Sequence, residues 1–304
     1  MSEPPLDRGR PFCAEEASAR GEPLAGTASR ITRWLLVEYG GAWPYEPLDA
    51  TVFAGGLGDR IGARLREAGS ARLCLVKPLA GGRRDRVRVF YGTTPERGGR
   101  FRTLELGSHG DLGDLDLPRM LSTGEGPGEP LEHPLLLVCT HGVRDRCCAR
   151  YGQELCRALG AVAPDGWAWQ ASHVGGDRFA ANLVCFPEGL FFGRVGREDA
   201  GRVLAAFLRG RIDLACFRGR SAYPFPVQAA ELAVREQAAL TGFWDLRLAG
   251  QARVEEGVWE VELVSEVSGE LHRLRVTREH GPPAFLTCRA AEQREPRHFA
   301  VAPA

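Results

Sequence analysis

The order of elements over residues 134–211 restricts the possible folds more than any other feature of this sequence. PLLLVC (134–139) reads as a strand, and RYGQELCRALG (150–160) has helical spacing and stops on Gly160. WAWQASH (167–173) is strand-like, and NLVCFPEGLFFGRV (182–195) is a hairpin with Pro-Glu-Gly at its turn. EDAGRVLAAFLRGR (198–211) opens with acidic residues and closes with arginines, the polarity that a helix dipole favours. A β-α-β-β-β-α sequence places the chain in the α/β class.

The same order appears upstream. ITRWLLVEY (31–39) reads as a buried strand, GDRIGARLREAG (58–69) as a helix and ARLCLVKP (71–78) as a strand, while VRVFYG (87–92) and FRTLEL (101–106) form the arms of a hairpin. STGEGPGEP (122–130) is rich in Gly, Pro and Ser and reads as a linker. This order is that of a thioredoxin-like fold. The expected architecture is therefore a tandem of thioredoxin-like units, 13–121 and 134–220, joined by a linker at 122–133. A small α+β domain over 221–304 follows. In that last part PFPVQAAELAVREQAAL (224–240) is an amphipathic helix, and WEVELVSE, ELHRLRV and AFLTCRA read as three short strands.

Bulk composition excludes some functions. The 304 residues are 44% hydrophobic and 26% charged with a formal net charge of zero, so there is no electrostatic case for nucleic acid or an anionic membrane as partner. Lys77 is the only lysine, and the arginines form no binding stripe. The N-terminal MSEPPLDRGRPF is polar and proline-rich, and no apolar run is long enough to span a membrane. A cytoplasmic location is expected. Nine unevenly spaced cysteines in such a chain indicate reduced thiols rather than a disulfide framework.

The chemistry is concentrated in two stretches. CTHGVRDRCC (139–148) holds three cysteines and a histidine, with Cys139 at a strand end and Cys148 nine positions on, near the start of a helix. SHVGGDRFAAN (172–182) ends the next strand at His173, turns at Gly175 and Gly176, and brings Asp177 four positions after the histidine. Parallel neighbouring strands would set Cys139 and His173 at one edge of the sheet. Clustered soft ligands favour a metal or redox role. Cys-x-x-Cys is absent, vicinal Cys147 and Cys148 pair only with strain, and zinc cysteines usually lie two to four residues apart. Cys74, Cys156, Cys185 and Cys288 occupy apolar positions and are expected in the core, whereas Cys216 is unassigned.

With CTHGVRDRCCARYG and HVGGDRFAANLVCFPEGLFFGRV in view, the chain resembles the sucrase/ferredoxin-like family, also called thioredoxin-like ferredoxins. CAEEASARGEPLAGTASRITRWLLVE (13–38) and CFRGRSAYPFPVQAAE (216–231) are similar to its bacterial branch. The resemblance implies a [2Fe–2S] cluster held by Cys139, Cys148 and His173. The fourth place falls at Asp177, where the fungal pattern has a second histidine. Cys147 and Cys13 are alternative fourth ligands, and His141 is a weaker candidate. Arg144 and Asp145 would pair to hold the loop, Arg178 or Arg144 would offset cluster charge, and Gly175 and Gly176 would admit close backbone approach. The word sucrase in the family name has no counterpart in this sequence, where no carboxylate pair stands out as glycosidase machinery.

The expected function is non-enzymatic electron transfer with an unidentified redox partner or reductase, the first unit covering the site or recruiting that partner. Two alternatives stay open. One is a thiol-dependent oxidoreductase using Cys148 with Cys147 or Cys139, and the other is a zinc-bound or metal-free binding module.

Overall fold

The computed structural model of the chain describes residues 9–69, 71–79 and 85–304. Most of the polar N-terminal stretch, residues 1–8, lies outside them. In chain order the elements are α1 (Cys13–Ala19), β1 (Arg33–Glu38), α2 (Leu57–Glu67), β2 (Ala71–Pro78), β3 (Val87–Thr93), β4 (Arg100–Leu106), α3 (Leu117–Thr123) and β5 (Glu129–Pro130). Then come β6 (Leu135–Cys139), α4 (Arg146–Gly160), β7 (Ala168–Ala171), β8 (Leu183–Phe186), β9 (Leu190–Phe192), α5 (Ala200–Leu208), β10 (Phe217–Arg220) and α6 (Phe225–Ala238). The chain ends with β11 (Leu246–Glu255), β12 (Val258–Ser265), β13 (Leu271–His280) and β14 (Arg297–Pro303).

The first ten strands form one mixed sheet in the order β10-β9-β8-β6-β7-β2-β1-β3-β4-β5. Within it β1 runs parallel to β2 and antiparallel to β3, and β6 runs parallel to β7 and antiparallel to β8. The two halves thus share strand order and direction, and they meet where β2 pairs antiparallel with β7 through Val76↔Ala171, Lys77↔Gln170 and Pro78↔Trp169. They are halves of one sheet, not two free-standing bodies. Residues 122–133 do not form an open connection either: α3 closes at Gly124 (φ +72), and β5 then adds to the sheet edge beside β4.

Side-chain alternation explains why the central strands are unbroken apolar runs. Leu35 and Val37 face one way, into a core with Leu57, Ile61 and Leu65 of α2. Leu136 and Val138 face the equivalent way, onto Leu155 and Leu159 of α4 and Val203, Leu204 and Phe207 of α5. Trp34, Leu36, Val76, Leu135, Leu137, Trp169 and Phe186 point to the opposite face, where both halves share a single core inside the curl of the sheet. Both faces of these strands are buried, so no polar alternation is required. Edge-to-face contacts tie the halves together, Trp34 to Phe186 at 4.9 Å between ring centroids and Phe90 to Trp169 at 5.1 Å.

The C-terminal part differs from the sequence reading in its strands: β11 and β14 were not expected, and one expected strand is absent. Its antiparallel sheet has four strands, β11-β12-β13-β14, with α6 packed on it through Val227, Ala230 and Val234. AFLTCRA (284–290), expected as a strand, instead lies in the long connection between β13 and β14, where the only described pairing is the Ala284–Arg294 bridge. Gly281-Pro282-Pro283 interrupts the strand pattern before it, since proline cannot donate to a ladder. β11 escaped notice because most of its residues are solvent-exposed and its small and apolar residues do not alternate with polar ones throughout, which leaves little pattern to read. No described helix is long and apolar enough to cross a membrane.

Candidate metal centres

β6 ends at Cys139, which is paired with Ala171 of the parallel neighbour β7, so His173 emerges two residues beyond, at the same sheet edge. The loop from Thr140 turns back through Asp145, whose carboxylate caps α4 by accepting the Cys147 N–H at 2.8 Å. That cap starts α4 at Arg146, earlier than the spacing alone indicated, and places Cys148 in its first turn. Gly152, one turn on, lets α4 lie against β6: a Cβ there would stand 2.1 Å from the Cys139 carbonyl oxygen.

The four expected ligands do come together. Cys148 and His173 lie beside the Cys139 thiol, close enough to act on its ionisation. The Cys148 thiol donates to Asp177 Oδ1 at 3.3 Å, and His173 Nδ1 lies 3.0 Å from the same oxygen. Cys139 and Cys148 are buried, and the Asp177 side chain is 6% exposed against 24% for His173. The imidazole is therefore the group that meets solvent. His173 Nδ1 is nevertheless buried and makes no aligned hydrogen bond among the described residues.

The electrostatics follow from this packing. The neighbouring Cys148 and His173 hold the Cys139 thiol well below its ordinary range despite burial, whereas the neighbouring Cys139 together with burial pushes Cys148 up. Burial works against charge on His173, but Asp177 and Cys139 outweigh it and lift the imidazole to about 9. Burial would raise Asp177, yet the adjacent imidazolium holds it below the usual carboxylate range.

The 174–176 turn is built for close approach, as its glycines suggested. Gly175 (φ +98) and Gly176 (φ +84) adopt left-handed conformations, and a Cβ on them would lie 2.3 Å from Ser29 Oγ and 2.2 Å from Arg218 Nη2. Gly176 then caps the short 3-10 turn that delivers Asp177.

Two arginines that the sequence reading passed over hold this turn. Arg218, fully buried on β10, donates to Gly175 O at 3.0 Å, Asn182 Oδ1 at 2.7 Å and Thr27 Oγ1 at 3.0 Å, and Arg72 Nη1 donates to Val174 O at 2.8 Å. The one available signal was FRGR at 217–220, arginines alternating inside a strand. The charged residues named from sequence behave differently. Arg144 pairs with Glu46 Oε1 at 2.8 Å and lies over the Tyr45 ring, not with Asp145, which the helix N-terminus engages. Arg178 pairs with Glu22 Oε1 at 2.6 Å. His141 uses both ring nitrogens: Nε2 donates to Pro44 O at 2.9 Å and Nδ1 accepts the His173 N–H at 3.2 Å. It orients His173 and has no nitrogen left for a metal.

Cys147 and Cys13 do not join this group. They meet Cys288 on the other side of the α4 N-terminus, with Sγ–Sγ separations of 3.5 Å (Cys13–Cys147), 3.3 Å (Cys147–Cys288) and 3.6 Å (Cys13–Cys288). Asp145 completes the group, 3.7 Å from Cys13 Sγ, while its Oδ2 accepts the Cys288 N–H at 2.7 Å. One ligand atom from each of these four buried residues lies within 4.8 Å of the others, a set able to hold a metal ion. Burial raises the Asp145 carboxyl to about 7. Cys288, expected in the core of a strand, is thus part of a polar cluster. Cys74, Cys156 and Cys185 do pack in the apolar core, and so does Cys216.

No curated protein and no solved structure matches the chain. A family match covers residues 116–219, which contain Cys139, Cys148, His173 and Asp177 together with Asp145 and Cys147, and leave Cys13 and Cys288 outside. The matched family is the sucrase/ferredoxin-like family, to which this span is similar.

Proposed function

We propose that this chain is an electron carrier with a [2Fe–2S] cluster held by Cys139, Cys148, His173 and Asp177. The observation that carries the reading is the gathering of donors at one sheet edge: the Cys148 sulfur 3.3 Å from Asp177 Oδ1, the His173 imidazole nitrogen 3.0 Å from the same oxygen, and Cys139 at the end of the adjoining strand. His173 Nδ1 is buried and faces Asp177 Oδ1 at 3.0 Å without an aligned hydrogen bond, which leaves both atoms able to turn to a metal. Cys139 and Cys148 would hold one iron, and His173 and Asp177 the other. Bound there, the cluster would supply a one-electron couple, with histidine ligation raising its potential.

The chain's own residues support this role. His173 is the most exposed ligand, so electrons and any linked proton exchange through the imidazole. The shared strand order of the two halves supports reading each as a thioredoxin-like unit. The first half covers the site with Trp43, Pro44 and Glu46, which meet His141 and Arg144, and this cover is where a reductase in the cytoplasm would dock. Thiol turnover is disfavoured because all nine cysteines are buried.

The test is an anaerobic visible spectrum with iron and acid-labile sulfide counted on the same sample. Equal iron and sulfide, with charge-transfer absorbance that disappears in Cys139→Ala and Cys148→Ala, is the expected result. Asp177→His should retain the colour and raise the potential, because a neutral imidazole replaces a carboxylate. A protein that stays colourless after reconstitution with iron and sulfide overturns the proposal.

A further inference from the structure

The three sulfurs of Cys13, Cys147 and Cys288 reach one point from segments far apart in the chain: the helix α1, the first turn of α4 and the β13–β14 connection. Their separations of 3.3–3.6 Å are far longer than the ~2.05 Å of a disulfide. They fall just short of the ~3.8 Å edge of a tetrahedron with metal–sulfur bonds of ~2.3 Å. Sulfurs so close together converge on a single ion, whereas a cluster would spread them over separate irons.

Around the sulfurs these segments are held mainly at their margins: Tyr151 donates to Glu15 Oε1 at 2.6 Å, Arg146 to Pro11 O at 2.8 Å and Arg10 to Ala290 O at 2.7 Å. The connection over 281–296 has a single described bridge, yet Cys288 within it is 1% exposed. Helix α1 has only seven residues. The buried cluster where they meet is Cys13, Ala14, Cys147, Ala180 and Cys288, with Phe12 and Tyr151 packed against it, so sulfur forms most of its centre. Loops of this length are uncommon in compact proteins unless they are functional or tethered.

We infer that Cys13, Cys147, Cys288 and Asp145 form a second, structural metal site that binds one zinc ion in a three-sulfur, one-oxygen shell. The sulfurs enter as thiolates, and their protons pass to solvent as the ion binds. Asp145 keeps its two N–H hydrogen bonds while ligating, since a carboxylate has about four lone-pair positions. The guanidinium of Arg146, which lies near Cys288, Cys147 and Asp145, offsets the excess negative charge. The ion staples α1 and the β13–β14 connection to the helix that carries Cys148, so adjacent residues of α4 serve two separate centres.

This site stands apart from the proposed cluster, and its test counts zinc and iron separately. Purified protein should contain one zinc per chain. X-ray absorption at the zinc edge of the unaltered protein should show three sulfurs and one lighter atom, where occupation of the Cys139 site would show two of each. Cys13→Ser and Cys288→Ser should lose the zinc and keep the iron and sulfide of the other centre. Zinc that fails to bind the reduced protein, a shell of two sulfurs and two lighter atoms, or zinc retained in Cys288→Ser overturns the inference. A Cys13–Cys147 disulfide in zinc-free native protein overturns it too.

Discussion

Gly152→Ala tests whether the contact between α4 and β6 sets the spacing of Cys139 and Cys148. A methyl group at position 152 would meet the Cys139 carbonyl oxygen at 2.1 Å, its carbon at 3.1 Å and Thr140 Cγ2 at 3.2 Å. Carbon–oxygen contacts settle at about 3.3 Å, so the helix must withdraw by about 1 Å. The closest contact is with a backbone carbonyl, which cannot rotate aside.

Overpacking of this kind costs about 1–3 kcal/mol, and the high end applies here. The better helix propensity of alanine returns about 1 kcal/mol. A net loss of about 2 kcal/mol lowers the melting temperature by about 3 °C in a chain of this size. Because Cys148 lies one turn earlier on the same helix, the withdrawal also separates the two sulfurs and should reduce metal occupancy.

Gly201→Ala is the matched control, because nothing lies within 4 Å of the added Cβ in α5 and propensity alone should stabilise it. Calorimetric melting of the two variants beside the parent, with iron counted on each, reads both effects. If Gly152→Ala melts as high as Gly201→Ala and keeps its iron, the contact does not set the site.

Two further outcomes follow from buried charge. Glu231 accepts from Arg235 at 3.0 and 3.1 Å and from Arg220 at 3.4 Å, with all three side chains at most 2% exposed. Glu231→Gln leaves two guanidinium groups without their counter-charge and should cost about 3–5 kcal/mol in urea unfolding, so a loss below about 1 kcal/mol would refute the account. Burial holds the His141 imidazole below its ordinary value, so the unfolded chain binds a proton that the folded chain refuses. That contribution to stability is complete above about pH 6.5 and is lost as pH falls through it. Between about pH 7.5 and 5.5 the parent should lose more stability than His141→Gln, and equal losses would exclude His141 as the source.

The site was legible from the sequence to the extent that it is local. Cys139 ends an apolar strand, His173 ends the next, and parallel pairing brings strand ends together, so the edge could be inferred from pattern alone. Gly175 and Gly176 announced a tight approach, although the group that approaches, Arg218, comes from β10 and no local pattern reports it. The contacts of Asp145 with Cys13 and Cys288, and the sulfur partners of Cys288, a core residue as expected, went unseen for the same reason. Their partners lie 132 to 275 positions away in sequence, and the neighbouring residues describe only a charged loop and an apolar stretch. The strand order within each half was readable, but the seam was not: three residue pairs between β2 and β7 leave no mark distinct from ordinary strand composition.

That seam determines what can be inherited as a piece. The family-matching span ends its sheet at β7, and there the edge normally paired with β2 would be open. Leu135, Leu137, Trp169, Val184 and Phe186 would also lose the cover that Trp34, Leu36, Val76 and Phe90 provide. A gene fragment encoding 116–219 alone would therefore yield a sticky half-shell, bare along one flank and across one face. Insertions, fusions and recombination can be accommodated at the margins of this chain. Through its middle they cannot, and the family-matching span has to be passed on together with its other half.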